Sequence, residues 1–404
     1  MVDGNVNDVD LLQGLIIHLA WAHYQPRPKR YTQHLHLAAS IVCDLRLDRP
    51  RKPKLWSVYG GKDRNKPDWG PDEMRALIGI YYLSSSSSLL LQKSRHFAFT
   101  PYISRCCEHL AAQNEHQTDE HLAYIVHLQT LIEGLEDLVG STSITNDAVQ
   151  FEMEMQKISQ KCAEIKSTLP FPLSKSPPLF LQLHMLELLL SQSSPRGTPF
   201  GLDKFQDNQN GPEHQASLMN WLSSSISAAR SLISVVLVLP QGEEGAMSNV
   251  GWIITYCTLS LAVRLDLVAA RGGISGVIQH FRQVLDMPHT LRQIALRLEA
   301  AATLETDAAA GDHHPFQDLA TRVRRLEEWY FAHIGRQLAQ PTTTISQPMA
   351  DPSMVMDHNA VPDGDSMMSQ NAWVGGSDWY PGPELDLGTF LFTDPVDFSG
   401  MFAI

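Results

Sequence analysis

The fold is decided between LLQGLIIHLAWAHY, Leu11 to Tyr24, and FAFTPYISRCC, Phe97 to Cys107. In the first segment Leu11, Leu12, Leu15, Ile16, Leu19 and Ala20 recur at i, i+3, i+4 spacing, the stripe of an amphipathic helix. The spacing predicts a helix over 8–24, with Asp8 or Asp10 near its start and Pro26 and Pro28 ending it. HLHLAASIVCDLRLDRP, His34 to Pro50, predicts a second helix over 31–47, with Leu35, Leu37, Ala38, Ile41, Val42 and Leu45 inward. Together the two form an antiparallel hairpin. EMRALIGIYYLSSSSSLLLQK, Glu73 to Lys93, predicts a third helix, opened by Pro71, Asp72 and Glu73. Ser84 to Ser88 are mediocre helix formers. Leu89, Leu90 and Leu91 resume at once, so the helix is read as continuous, with the serines permitting a close crossing.

Working outward, helices are expected at 101–113, 118–139, 147–168 and 179–192. Gly140 to Asn146 reads as a turn. The helix at 147–168 would turn Val149, Met153, Ile158, Cys162 and Ile165 to one face, with Leu169 following. Further helices are expected near 214–239, 247–270, 274–286, 288–306 and 315–339. No alternating strand pattern occurs, so the fold class is all-α. One multi-helix domain is drawn over 8–340, with a sub-boundary at the Gly-, Pro- and Asn-rich 193–213. Residues 341–404 lack periodicity and read as a disordered acidic tail. No Lys or Arg follows Arg336. Asp378, Glu384, Asp386, Asp394 and Asp397 alternate with large apolar side chains, among them Trp379, Leu387, Phe390, Phe392 and Phe398. That pattern suits a partner groove, with local ordering on binding. The competing reading docks the same aromatics back onto the helical domain.

The order of the helical segments resembles the middle homology region, the regulatory domain of fungal zinc-cluster transcription factors. The resemblance rests on Ala20, Trp21, His23 and Tyr24; on Asp44, Leu45, Leu47, Asp48 and Arg49; on Glu73, Arg75, Ala76, Tyr81, Tyr82, Leu83, Ser84 and Ser85; and on Tyr102, Ile103 and Cys106. It is good over 8–140 and general from 145 to 340. These are packing motifs, so they speak for fold and family before chemistry. The resemblance implies a nuclear regulator of a gene set, such as a secondary-metabolite biosynthetic cluster. Its partners would be the transcription machinery or a co-regulator, and a homo-oligomer stays open.

The family's binuclear zinc cluster needs six thiolates, including Cys-x2-Cys pairs. This sequence holds five cysteines, Cys43, Cys106, Cys107, Cys162 and Cys257, and no such pair. No cofactor is therefore expected in the chain, and zinc only in the absent cluster. DNA would be reached through that cluster or through a partner protein. The net charge of -13 likewise argues against a nucleic-acid-binding module. Odd, scattered cysteines do not form a disulfide framework. The apolar runs Ile226–Leu239 and Ile253–Val268 are interrupted by Arg230 and Arg264 and are not read as membrane spans.

Arg49, Arg51, Lys52 and Lys54 form a candidate nuclear-import patch in a Pro- and Gly-marked loop, against the simpler reading of a solvated loop. Cys106 and Cys107 read as buried small hydrophobes. His34 and His36, two apart on a helix, face different sides. Arg271 to Gly276 lacks a phosphate-loop pattern and reads as a turn between helices. His23 reads as a hydrogen-bonded core or rim histidine. No catalytic and no metal-ligating residue is singled out. Beside the transcription regulator stand two rivals: a helical scaffold or adaptor, and an all-α enzyme acting on an apolar metabolite.

Overall fold

The computed structural model describes residues 4–24, 30–50, 69–90, 97–145, 148–193, 212–270, 275–306 and 314–339. Among these residues the regular structure is helical, as expected. We number the α-helices α1 (Gly4–Ala20), α2 (Tyr31–Leu45), α3 (Pro71–Leu90), α4 (Pro101–Gln113), α5 (Asp119–Thr145), α6 (Ala148–Thr168), α7 (Pro177–Gln192), α8 (Pro212–Val238), α9 (Asn249–Ala270), α10 (Ser275–Leu285), α11 (Met287–Thr306) and α12 (Pro315–Ala339). Short 3-10 turns lie at Ala22–Tyr24, Leu173–Lys175 and Glu244–Ala246.

Proline and left-handed residues set many of the boundaries. α3, α4, α7, α8 and α12 each open on a proline, whose fixed φ suits the first helical position and whose missing N–H costs nothing there. Arg46 at φ 58° ends α2 and Asn114 at φ 46° ends α4; Asp286 at φ 39° separates α10 from α11. In α2 the Leu47 N–H closes on the Val42 carbonyl, so the chain turns sharply with Leu47 buried.

α9 is the central helix. From Val250 to Leu267 nearly every side chain is buried, and α9 touches α1, α3, α7, α8, α10, α11 and α12. A helix apolar on all sides belongs in a core or a membrane. α8 and α9 are both long and apolar enough to cross a membrane, but here α9 is enclosed by protein. The buried apolar side chains form one continuous cluster from Leu12 to Tyr330.

The expected faces pack inward, with exceptions at their edges. Leu12 and Leu19 are buried in α1, but Leu11 is 59% exposed. Leu35, Ala38 and Val42 are buried in α2, but Leu37 is 51% exposed. α1 and α2 pack against each other and against α3, a narrower contact than the full apolar stripe allows. The first helix starts at Gly4, so Asp8 lies inside it and caps nothing. The turn expected at 140–146 is helical through Thr145, because α5 continues past Gly140. In α6, Val149 and Met153 point outward, while Phe151, Cys162 and Ile165 supply the buried face.

Candidate functional site

α3 is one helix through the serine run, and all five serines are buried. Their smallness brings neighbours close, and their hydroxyls then need partners. Each finds one. Ser84 Oγ accepts the Phe97 N–H at 3.1 Å, fixing the approach to α4. Ser87 Oγ lies 2.8 Å from the Tyr31 hydroxyl of α2. Ser88 Oγ donates to its own helix at Ser85 O, 3.0 Å away. Ser86 Oγ donates to Gln129 Oε1 of α5 at 3.5 Å.

Ser85 stands in a longer chain of donors. Tyr82 OH donates to Gln182 Oε1 of α7 at 3.5 Å, and Gln182 Nε2 donates to Gln129 Oε1. Gln129 Nε2 donates to Ser85 Oγ at 2.7 Å, and Ser85 Oγ donates to Glu133 Oε1. The chain runs Tyr82, Gln182, Gln129, Ser85, Glu133 and ends on a carboxylate, the strongest acceptor available to it. Burial pushes the Tyr82 phenol up to about 12, against the Ser86 hydrogen bond, so it stays protonated as a donor. Sequence reasoning found the serines but missed Gln129, Glu133 and Gln182. A signal was present for Gln182, a lone polar residue in the apolar run LFLQL, 179–183; Gln129, beside Thr130, gives none.

The resemblance motifs converge around this helix. Arg75 of α3 clasps Asp119, at the start of α5, through two bonds of 2.9 and 2.8 Å. Asp119 is 1% exposed and also accepts the His116 N–H at 3.1 Å. Those hydrogen bonds hold the Asp119 carboxyl below its usual range, most through Arg75. Trp21 is half-buried, and its Nε1 donates to Gly245 O at 2.9 Å, tying α1 to the turn before α9. Tyr102, Ile103 and Cys106 are buried on α4. Burial pushes the Cys106 thiol up to about 11 and Cys107 to about 12, so both are protonated and unreactive.

The turn before α9 is held by a buried ion pair. Glu244, 1% exposed, meets Arg297 Nε of α11 at 2.7 Å. Arg297 also donates to the carbonyls of Leu237, Leu239 and Pro240 at the end of α8. A second such knot joins α9, α10 and α12. Asp266 accepts from Arg282 at 3.2 and 3.3 Å and from Tyr330 OH at 2.8 Å.

His23 departs from expectation. Neither ring nitrogen has a hydrogen-bond partner, and both are shielded from solvent. Its ring lies 4.5 Å from Tyr24 and 6.3 Å from Phe316. Trp252, 5.6 Å from the same Phe316 ring, also leaves its Nε1 unpartnered. Burial alone lowers the His23 pKa to about 4, so the ring is neutral at physiological pH.

Two hollows lie among the described residues. A void of about 30 Å³ between α3, α7, α8 and α9 is lined by Leu90, Met185, Leu188, Leu189, Leu232, Ile254, Cys257, Thr258 and Leu261. Its hydroxyl, Thr258 Oγ1, is already bonded to Ile254 O at 2.7 Å. An open groove between α7 and α8 is lined by serines, Asn220 and Trp221. Among the described residues no group of three or more His, Cys, Asp or Glu side chains is arranged to hold a metal ion. Of the import patch, Arg49 is described: it is exposed and forms a two-bond ion pair with Asp48. Arg51, Lys52 and Lys54 lie outside the described residues, as do Trp379, Leu387, Phe390, Phe392, Phe398 and most of 193–213.

These contacts define a class: a helical domain whose recognisable residues serve packing between helices. The chain is 34% identical over 333 residues to transcription factor himD of Aspergillus japonicus, covering 81% of this chain and 54% of that protein. It is 22% identical over 342 residues to transcription factor opdL of Penicillium oxalicum, covering 80% of this chain and 57% of that protein. The chain is a homologue of named fungal transcription factors and spans little more than half the length of those two. No family model matches it. No solved structure matches it.

Proposed function

We propose that the chain is a nuclear transcription regulator controlling a fungal gene set, such as a secondary-metabolite biosynthetic cluster. The observation that carries this reading is the 34% identity to himD across 333 residues, most of the helical region. The helical domain is the regulatory part, and 373–404 is the activating part. In that tail, acids interleave with Trp379, Leu387, Phe390, Phe392 and Phe398, the chemistry a co-regulator groove takes up. DNA is reached through a zinc cluster in a longer form of the protein or through a partner. Arg49, Arg51, Lys52 and Lys54 serve nuclear import. The domain needs no cofactor, and its motif residues do structural work instead of catalysis.

The test fuses 373–404 to an unrelated DNA-binding domain and reads a reporter. Activation is expected, and it disappears when Trp379, Phe390, Phe392 and Phe398 become Ala. A silent fusion, together with a lower Tm of the full chain after tail deletion, would replace activation by a structural clasp. It would leave the scaffold reading in front.

A further inference from the structure

Two imidazoles face each other across the first hairpin, outside the contacts described so far. His18 lies in the last turn of α1 and His34 in the first turns of α2. Nε2 of His18 and Nδ1 of His34 are 3.2 Å apart, with ring centroids 5.0 Å apart and planes at 58°. The pair is solvent-exposed. One ring nitrogen donates to the other across this contact.

The spacing also suits a metal ion. With zinc–nitrogen bonds of about 2.0–2.1 Å, two ligands at the tetrahedral angle stand about 3.3–3.4 Å apart. A small rotation of each ring turns the shared-proton line into two lone pairs meeting at one point. We propose that His18 and His34 form a two-histidine site for a divalent transition-metal ion, bridging α1 and α2, with solvent completing the coordination. Imidazole ligands select zinc, copper or nickel over magnesium and calcium. His36 takes no part, since two residues along a helix point to different sides. Arg30 is close enough to act electrostatically on His34 and weakens the site for any cation. The ion would pin the end of the hairpin where α1 gives way to α2, next to the Trp21 contact that ties α1 to the turn before α9.

The chain has seventeen histidines, so total metal uptake decides nothing, and the test must be local. Thermal unfolding of the full chain is followed with ZnCl2, NiCl2 and MgCl2 for wild type, H18Q, H34Q and H36Q. His18 is exposed and His34 only partly buried, so glutamine at either position leaves folding intact. Zinc and nickel should raise the Tm of wild type and H36Q saturably, by mass action on the folded state, and magnesium should not. H18Q and H34Q should each lose the shift. Hydrogen exchange on wild type supplies a second measurement, with zinc slowing amides in 14–24 and 31–38. An equal shift in all four proteins, or none in wild type, overturns the site. The first means scattered surface binding, the second a hydrogen-bonded pair and nothing more.

Discussion

At the crossing of α3, α5 and α7, the partly buried Tyr82 and four buried polar side chains pass hydrogen bonds from Tyr82 to Glu133. Around Phe316, where the turn after α1 meets α9 and α12, His23 and Trp252 keep three buried nitrogens with no partner. Residue size accounts for the contrast. Serines at the crossing let neighbouring helices approach until amides and hydroxyls reach one another. At the aromatic junction the rings of His23, Tyr24, Trp252, His314 and Phe316 fill the space and set no acceptor beside the three nitrogens. A satisfied network in a low-dielectric interior specifies one arrangement of its helices. Unpartnered nitrogens are held in place by ring packing, and there the cost of burial is felt.

The sharpest break of this contrast is Gln129→Ala. Gln129 joins Ser85, Ser86 and Gln182, so its loss strands buried groups on two other helices. A loss of about 3–5 kcal/mol is expected, from several unsatisfied groups and a cavity together. Denaturant unfolding with an unchanged m-value measures it. A loss under about 1 kcal/mol would show that water enters and repairs the crossing.

Next comes α1, which decides how the hairpin meets α3. Leu19→Ala should cost about 2–5 kcal/mol, and Leu11→Ala no more than about 0.5 kcal/mol. The same measurement on both separates the buried face from the exposed one.

That pair of leucines also shows where sequence stops. Helical period fixes which residues share a stripe, and α4 and α12 fall at the expected bounds. Period does not say how much of the stripe a neighbour covers, so Leu11 and Leu37 read as inward and are not. Gly140 reads as a turn, yet an open helix surface tolerates it, with nothing within 4 Å of an added Cβ. The serine run was legible as a close crossing. Its partners were not, because Gln129 and Gln182 lie 43 to 97 residues away and only the fold joins them. His23 reads as hydrogen-bonded because buried polar groups usually are; the aromatic junction is the exception.

Acid should expose that exception. His23 has a folded pKa of about 4 against an ordinary 6.5, so between these values the unfolded chain binds more protons. Its contribution is complete above pH 6.5, falls as pH drops, and levels off near pH 4. The full difference is on the order of 3 kcal/mol. Burial lowers His34 and His127 as well, so total pH dependence is shared. The diagnostic quantity is the wild-type curve minus that of His23→Phe. A difference flat between pH 7 and 5 would mean that His23 gains a partner or solvent on protonation.

The smallest effect belongs to the same substitution at pH 7.5, and it bears most directly on the comparison. Removing a hydrogen-bonded histidine from a core would cost stability by stranding its partner. His23 has no partner to strand. Its ring touches Tyr24 and faces Phe316, so a phenyl ring of similar shape keeps the contacts and removes two desolvated nitrogens. The expected change is stabilising or neutral, within about 1 kcal/mol. Trp21 supplies the control, because its Nε1 is bonded to Gly245 O at 2.9 Å. Trp21→Phe leaves that carbonyl without its donor and should cost about 1–3 kcal/mol. If His23→Phe proves as damaging as Trp21→Phe, the junction holds its histidine by a bond after all, and the two regions are built alike.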